Sequence, residues 1–186
     1  AVTVKVTAVL EKLNVPYFVC GSLASTIYGM VRTTQDSDLV AKLRPEHVDP
    51  FVYALEDEFY VDEEMVADSI ARCSSVNIIH RESMFKVDVF IAQMRPFARE
   101  QFARARRQSL SINPWVEALV STAEDTLLAK LEWYRMGGEV SERQWRDVQG
   151  ILKVQEGNLD LDYLRHWAEE LKVGDLLERA LTEAST

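Results

Sequence analysis

Long apolar runs are missing from this sequence. No stretch approaches the roughly 20 consecutive apolar residues that a membrane-spanning helix needs, so no membrane partner is expected. The N-terminal segment is interrupted by Lys5, Glu11 and Lys12 and does not read as a secretory signal. Cysteine is scarce. Cys20 and Cys73 each sit in an apolar stretch, neither belongs to a pair at metal-ligand spacing, and this usage points to reduced, buried thiols and a cytoplasmic location, with a disulfide between the two left open. Basic charge is in deficit: 21 Lys and Arg stand against 30 Asp and Glu, a formal charge of −9. An acidic surface repels phosphate backbones, which argues against broad, non-specific nucleic-acid binding. A local basic patch stays open at Arg95, Arg99, Arg104, Arg106 and Arg107, a run that reads first as a solvated helix face. Internal repeats, low-complexity segments and long linkers are absent as well.

What is present is an ordinary globular mixture, 47% hydrophobic and 27% charged over 186 residues, enough for one domain with a real core or one domain with a helical extension. Val4, Val6, Leu10 and Leu13 recur at helical spacing over residues 3–13. Tyr17 to Cys20 reads as a short buried strand, and Gly21-Ser22 as the turn that follows it. Leu23 to Met30 suits a short helix with Ser22 as its N-cap, ending near Gly29. A second strand is expected over 37–43, and a helix from Pro45 to about Glu58. Residues 63–73 look helical. Ser75 to His80 and Phe85 to Ala92 are β-rich and joined by Arg81-Glu82-Ser83, a hairpin signal. Pro96 opens a helix to about Arg107, followed by strand-like pieces at 109–112 and 115–120. Beyond that the pattern is helical: 122–136, 142–155, 160–172 and 174–183. The expected organisation is a mixed α/β part over 1–120 and a helical part over 121–186.

The acids of the second strand carry the chemistry. Asp36 and Asp38 are two apart, which in a strand puts both on one face, roughly 7 Å apart at their Cα atoms. Neighbouring carboxylates repel unless a cation lies between them, and Mg²⁺ suits one or two carboxylates with water and substrate phosphates. Asp88 supplies a third acid inside an apolar strand, where an unpaired charge is costly. It points with Lys86 and Phe90, opposite Val87 and Val89. Lys86 could equally be its salt-bridge partner, which would favour a structural role. Gly21 and Ser22 follow a strand and open a helix, where exposed N–H groups bind phosphate and Gly permits close approach. His80 reads as a packed or hydrogen-bonded histidine, and Trp133, Tyr134, Trp145 and Trp167 as core.

These residues carry a resemblance. The stretch GSLASTIYGMVRTTQDSDLV, residues 21–40, resembles the signature of the nucleotidyltransferase superfamily, in which a Gly-Ser or Gly-Gly turn precedes Asp-x-Asp on the next strand. Arg32-x-Thr34 before the aspartates resembles the AbiEii/MenT-type branch. HRESMFKVDVF resembles the strand that brings the third carboxylate, and AEDTLLAKLEWYRMGG and RQWRDVQGIL resemble that branch's C-terminal motifs, whose lysine and aspartate fall on Lys130 and Asp147. The resemblance covers about residues 15 to 155.

It implies an α/β fold, a nucleotidyltransferase-like mixed β-sheet flanked by helices with a C-terminal helical part. It also implies Mg²⁺-dependent, two-metal transfer of a nucleoside monophosphate from an NTP, ATP among them, to an acceptor hydroxyl. Asp36, Asp38 and Asp88 would be the metal ligands, and Asp88 would help deprotonate the acceptor. Gly21 and Ser22 would cradle the β- and γ-phosphates, while Lys130 and Arg32 would offset phosphate charge. Asp147 would join Lys130 in the catalytic set. The acceptor could be tRNA or a protein, with the chain as the toxin of a toxin–antitoxin pair and an antitoxin as partner. It could instead be a small aminoglycoside-like cation, which the acid run Glu56, Asp57, Glu58, Asp62, Glu63 and Glu64 favours. A non-catalytic nucleotide-binding module of the same fold is the third reading. From the residues alone, Lys130 could simply reach solvent and Asp147 could pair with Arg143 one helical turn away.

Overall fold

The computed structural model describes residues 2–31, 34, 36–110 and 116–185. In chain order the elements are α1 (Val2–Lys12), β1 (Tyr17–Cys20), α2 (Gly21–Tyr28), β2 (Asp36–Ala41), a 3-10 turn (Pro45–His47) and α3 (Val48–Leu55). Then follow β3 (Phe59–Tyr60), α4 (Glu63–Arg72), β4 (Ser75–His80), β5 (Lys86–Ile91), α5 (Pro96–Arg104), β6 (Arg106–Ser109) and β7 (Glu117–Val120). The chain ends in α6 (Ala123–Met136), α7 (Glu142–Val154), α8 (Leu161–Glu170) and α9 (Gly174–Ala184). Contacts divide it into two compact units, Ala1–Leu23 with Thr33–Ser121, and Ala24–Arg32 with Thr122–Thr186.

Among the described residues the seven strands belong to the first unit and form one sheet in the order β3-β4-β5-β2-β1-β7-β6. β2 runs parallel to β5 and β1 parallel to β7; the other neighbours are antiparallel. The two acid-bearing strands alternate strictly. β2 buries Ser37, Leu39 and Ala41, and β5 buries Val87, Val89 and Ile91, while Asp36, Asp38, Lys86 and Asp88 stay half-buried on the opposite face. Burying a residue such as Val89 or Leu39 is worth about 1.5–3 kcal/mol, and a slip of one residue would turn the aspartates inward, so the pattern holds the register. Ser37, fully buried between the two acids, is satisfied from α1, where Thr3 Oγ1 donates to its Oγ at 3.0 Å. α1 packs on α3 and β7, and α4 on α3 and β4. Leu10, Phe18, Phe51, Phe59, Ile78 and Phe97 fill this core.

Several expectations need correction. The helix opened by Pro45 begins as a 3-10 turn and stops at Leu55, and the helix opened by Pro96 stops at Arg104. Ala105 turns extended, and Arg106 and Arg107 enter β6, which pairs with β7. The basic run is therefore split between a helix and a strand. Arg107 is paired with Glu11 at 3.2 Å. The two-residue strand β3 is too short to leave a periodic signal. Cys73 is exposed, in a left-handed conformation (φ 48°) that ends α4, and Cys20 is half-buried at the end of β1. The two thiols form no disulfide, but they are not the buried pair expected.

In the second unit α6 packs on α7 and α8, and α9 on α7 and α8. Thr122, Ser141 and Asp160 cap α6, α7 and α8, their side chains accepting from the amides of Asp125, Gln144 and Tyr163. Leu127, Leu128, Leu131, Val148, Ile151, Leu164 and Leu177 are buried. Gly150, inside α7, has a packing reason. A Cβ there would meet the Met30 backbone at 3.4 Å, and one at Gly29 would lie 3.1 Å from the Ile151 amide, so two backbones touch. Tyr134 is buried, as expected, and Trp145 and Trp167 are half-buried. Trp133 is 51% exposed and is not core.

Candidate active site

The strand β1 ends at Cys20 and α2 starts at Gly21, with no residue between them. So abrupt a change of direction needs a left-handed residue, and Gly21 has φ +61°. It also makes room. A Cβ at Gly21 would fall 2.6 Å from Asp38 Cγ and 2.9 Å from Asp38 Cβ. The Asp38 side chain thus lies directly against the first residue of α2. Ser22 is the second residue of this helix and not its cap, and its side chain is buried. Gly21 itself is half-buried at the helix start.

Register then assembles the acids. Asp38 on β2 is the direct partner of Cys20 on β1 and of Asp88 on β5, and Asp88 is in turn the partner of Asn77 on β4. Strands lie about 4.8 Å apart, so Asp38 and Asp88 are near neighbours on one face. One step along, Asp36 is opposite Lys86. Thr34 Oγ1 donates to Asp36 Oδ1 at 2.7 Å. Asp88 is held at both oxygens, Oδ1 by Asn77 Nδ2 at 2.6 Å and Oδ2 by Lys86 Nζ at 2.9 Å. The hydrogen bond to Asp88 is the main cause that holds the Lys86 ammonium above its ordinary pKa; burial opposes it next, and the charges of Asp88, Asp36 and Asp38 add to the rise.

The donor chemistry of this face fits a hard divalent cation, since every candidate ligand is a carboxylate oxygen. Among the described residues no group of three or more His, Cys, Asp or Glu side chains stands ready as a closed metal cage. The fit therefore rests on the shared face and on the oxygen donors.

Lys130 and Asp147 meet in the second unit. Lys130 Nζ lies 2.8 Å from Asp147 Oδ2 and donates to Gln144 Oε1 at 3.1 Å, and the two charged side chains are 7% and 10% exposed. Lys130 does not reach solvent, and Asp147 is no surface acid. The acids just before Lys130 tie α6 to α8: Tyr163 Oη donates to Asp125 Oδ1 at 2.6 Å, and Glu124 accepts from the Asp160 amide at 3.2 Å. Arg32 lies outside the described residues. His80 is buried, with Nδ1 2.9 Å from Ser83 Oγ and its ring edge-on to Phe59. Asn77 and the role of Thr34 were missed from sequence. Counting back across the expected hairpin would have placed Asn77 opposite Asp88, but the exact turn was needed for the count.

No family model matches this chain, and no curated protein does. Among solved structures, the chain is similar to the antigenic nucleotidyltransferase-like protein from Paracoccidioides brasiliensis. The TM-score is 0.55 at 18% identity, over 97% of this chain and 91% of that one. It is also similar to ANT(2")-Ia in complex with adenylyl-2"-tobramycin, with a TM-score of 0.57 at 11% identity over 92% of this chain and 98% of that one. At such identities the likeness establishes the fold. The chain has a nucleotidyltransferase-like mixed sheet flanked by helices, with a helical C-terminal part.

Proposed function

We propose that this chain moves a nucleoside monophosphate from an NTP to an acceptor hydroxyl, with Mg²⁺ at Asp36, Asp38 and Asp88. One observation carries the proposal: Asp38 and Asp88 are opposed on neighbouring strands, with Asp36 on the same face and Gly21 closed against Asp38 at the start of α2. The likeness in fold to nucleotidyltransferase-like proteins supports it. When bound, divalent ions would neutralise phosphate charge and steady the attacking and leaving oxygens. The chain's own residues do the rest. Thr34 orients Asp36 and Asn77 orients Asp88, and Gly21 and Ser22, at the start of α2, would cradle the β- and γ-phosphates. Asp88 takes the proton of the acceptor hydroxyl. The acceptor oxygen bonds to the α-phosphorus, the bond from that phosphorus to the bridging oxygen breaks, and pyrophosphate departs.

Two acceptor classes compete. The AbiEii/MenT-type resemblance, through Arg32, Lys130 and Asp147, favours tRNA or a protein, with an antitoxin as partner. The net charge of −9 and the likeness to a protein crystallised with an adenylylated aminoglycoside favour a small cationic acceptor. The local acid run adds less to this, because Asp62 caps α4 and Glu58 is paired with Lys5.

Incubation with α-labelled NTPs and Mg²⁺ tests the proposal, with an RNA extract in one arm and a panel of aminoglycosides in the other. Label on RNA or protein, with growth arrest on expression, supports the toxin reading; label on the drug, with resistance on expression, supports the other. No label on any acceptor and no pyrophosphate from any NTP would overturn the proposal.

A further inference from the structure

We infer that Lys86 is a resident cation that holds Asp88 where a divalent ion would, and that it competes with the ion for this carboxylate, so that Lys86 sets the divalent-ion affinity of the site. This rests on the reading of Asp36, Asp38 and Asp88 as ion ligands.

Lys86 stands in the middle of the acids. It is the strand partner of Asp36, it shares a face with Asp38 and Asp88, and its Nζ contacts Asp88 Oδ2 at 2.9 Å. Asp36 and Asp38 also act on it electrostatically. One ammonium thus balances part of the charge of three carboxylates whose spacing would otherwise be repulsive. The tie is built to open. Lys86 is 40% exposed on its side-chain surface, its four-carbon stem is flexible, and water can take up the ammonium once it leaves. Asp88 need not move with it, because Asn77 keeps Oδ1 fixed at 2.6 Å. An ammonium and a divalent ion drawn to the same carboxylate oxygen repel each other at close range, so each weakens the other's hold on Oδ2. A purely structural salt bridge would behave differently, since its loss would lower stability without improving ion binding.

The test uses Mn²⁺ alone, without nucleotide, on the full chain. Binding is read from loss of the free-ion electron paramagnetic resonance signal and from calorimetry. Lys86→Met keeps the stem and removes the charge, and it should bind Mn²⁺ about tenfold tighter or more, the effect of removing one like charge a few ångströms away. Lys86→Arg should bind as the wild type does, and Asp88→Asn should lose the gain when combined with Lys86→Met. Lys86→Gln repeats the measurement if Lys86→Met misfolds by circular dichroism. Affinity of Lys86→Met equal to or below that of a wild type that does bind Mn²⁺ overturns the inference and leaves the metal reading standing. No Mn²⁺ binding by the wild type or any variant overturns both.

Discussion

Asp38 and Asp88 are direct register partners on the parallel strands β2 and β5, with both carboxylates on one face of the sheet. Like charges placed so cost stability, on the order of 0.2–1 kcal/mol for an exposed strand pair. Lys86, paired with Asp88 at 2.9 Å, offsets part of this cost but not all of it. Asp38→Asn should therefore leave the melting temperature unchanged or raise it, while nucleotidyl transfer falls by roughly 10²–10³-fold, as when a preorganised electrostatic group is removed. Thermal denaturation and the labelled-NTP assay on the same preparation check both halves. Full activity in Asp38→Asn would remove the aspartate from the reaction.

Gly21 links the turn to the acid. Alanine there needs a left-handed backbone, a strain of about 1–3 kcal/mol, and its methyl would occupy the space of the Asp38 carboxylate. Gly21→Ala should lower stability by about that amount and displace Asp38, so transfer should fall well beyond what the loss of folded protein explains. Chemical denaturation beside specific activity per folded molecule separates the two effects.

Much of this site could be read in advance because strands obey a period of two. Asp36-Ser37-Asp38 must present both acids on one face, and Lys86-Val87-Asp88-Val89 must present Lys86 with Asp88. Which strand lies beside which is a matter of long-range pairing, so the opposition of Asp38 and Asp88 and the Asn77 contact became visible only in the fold. Gly21 was legible as a place where backbone comes close; that the neighbour is Asp38 was not. Helix ends were read long at Glu58 and Arg107, because apolar spacing near an end does not distinguish a last helical turn from the start of a strand. Lys130 and Asp147 lie on separate helices, and their pairing depends on how α6 packs against α7.

That pairing makes a further prediction. Removing one partner of a buried ion pair leaves the other charge stranded, at about 3–5 kcal/mol, whereas replacing both with apolar residues is often neutral. Lys130→Met and Asp147→Leu should each destabilise strongly, and the double variant should recover most of the loss by denaturant titration. If the pair serves the reaction, transfer stays low in the recovered double variant. Activity recovering in step with stability would assign Lys130 and Asp147 to folding alone.

The last prediction concerns alkaline stability. Tyr17, buried in β1, has its phenol pushed up to about 12, first by burial and next by the 2.8 Å hydrogen bond it donates to Glu11 Oε1. The ordinary value is 10.0, so between these limits the folded chain keeps a proton that the unfolded chain has lost. The contribution is fully present below pH 10.0 and disappears as pH rises towards about 12. A separation of that size corresponds to about 2–3 kcal/mol. Tyr17→Phe should cost about 1 kcal/mol at neutral pH through the lost hydrogen bond. Above pH 10 its stability should fall less steeply than that of the wild type, so the two stabilities measured by urea denaturation converge and then cross before pH reaches about 12. Absorbance of tyrosinate at alkaline pH provides the independent readout, since the substitution should delete the late-titrating phenol of Tyr17. Parallel curves for the two proteins across this range would show that the Tyr17 phenol is not held neutral by the fold.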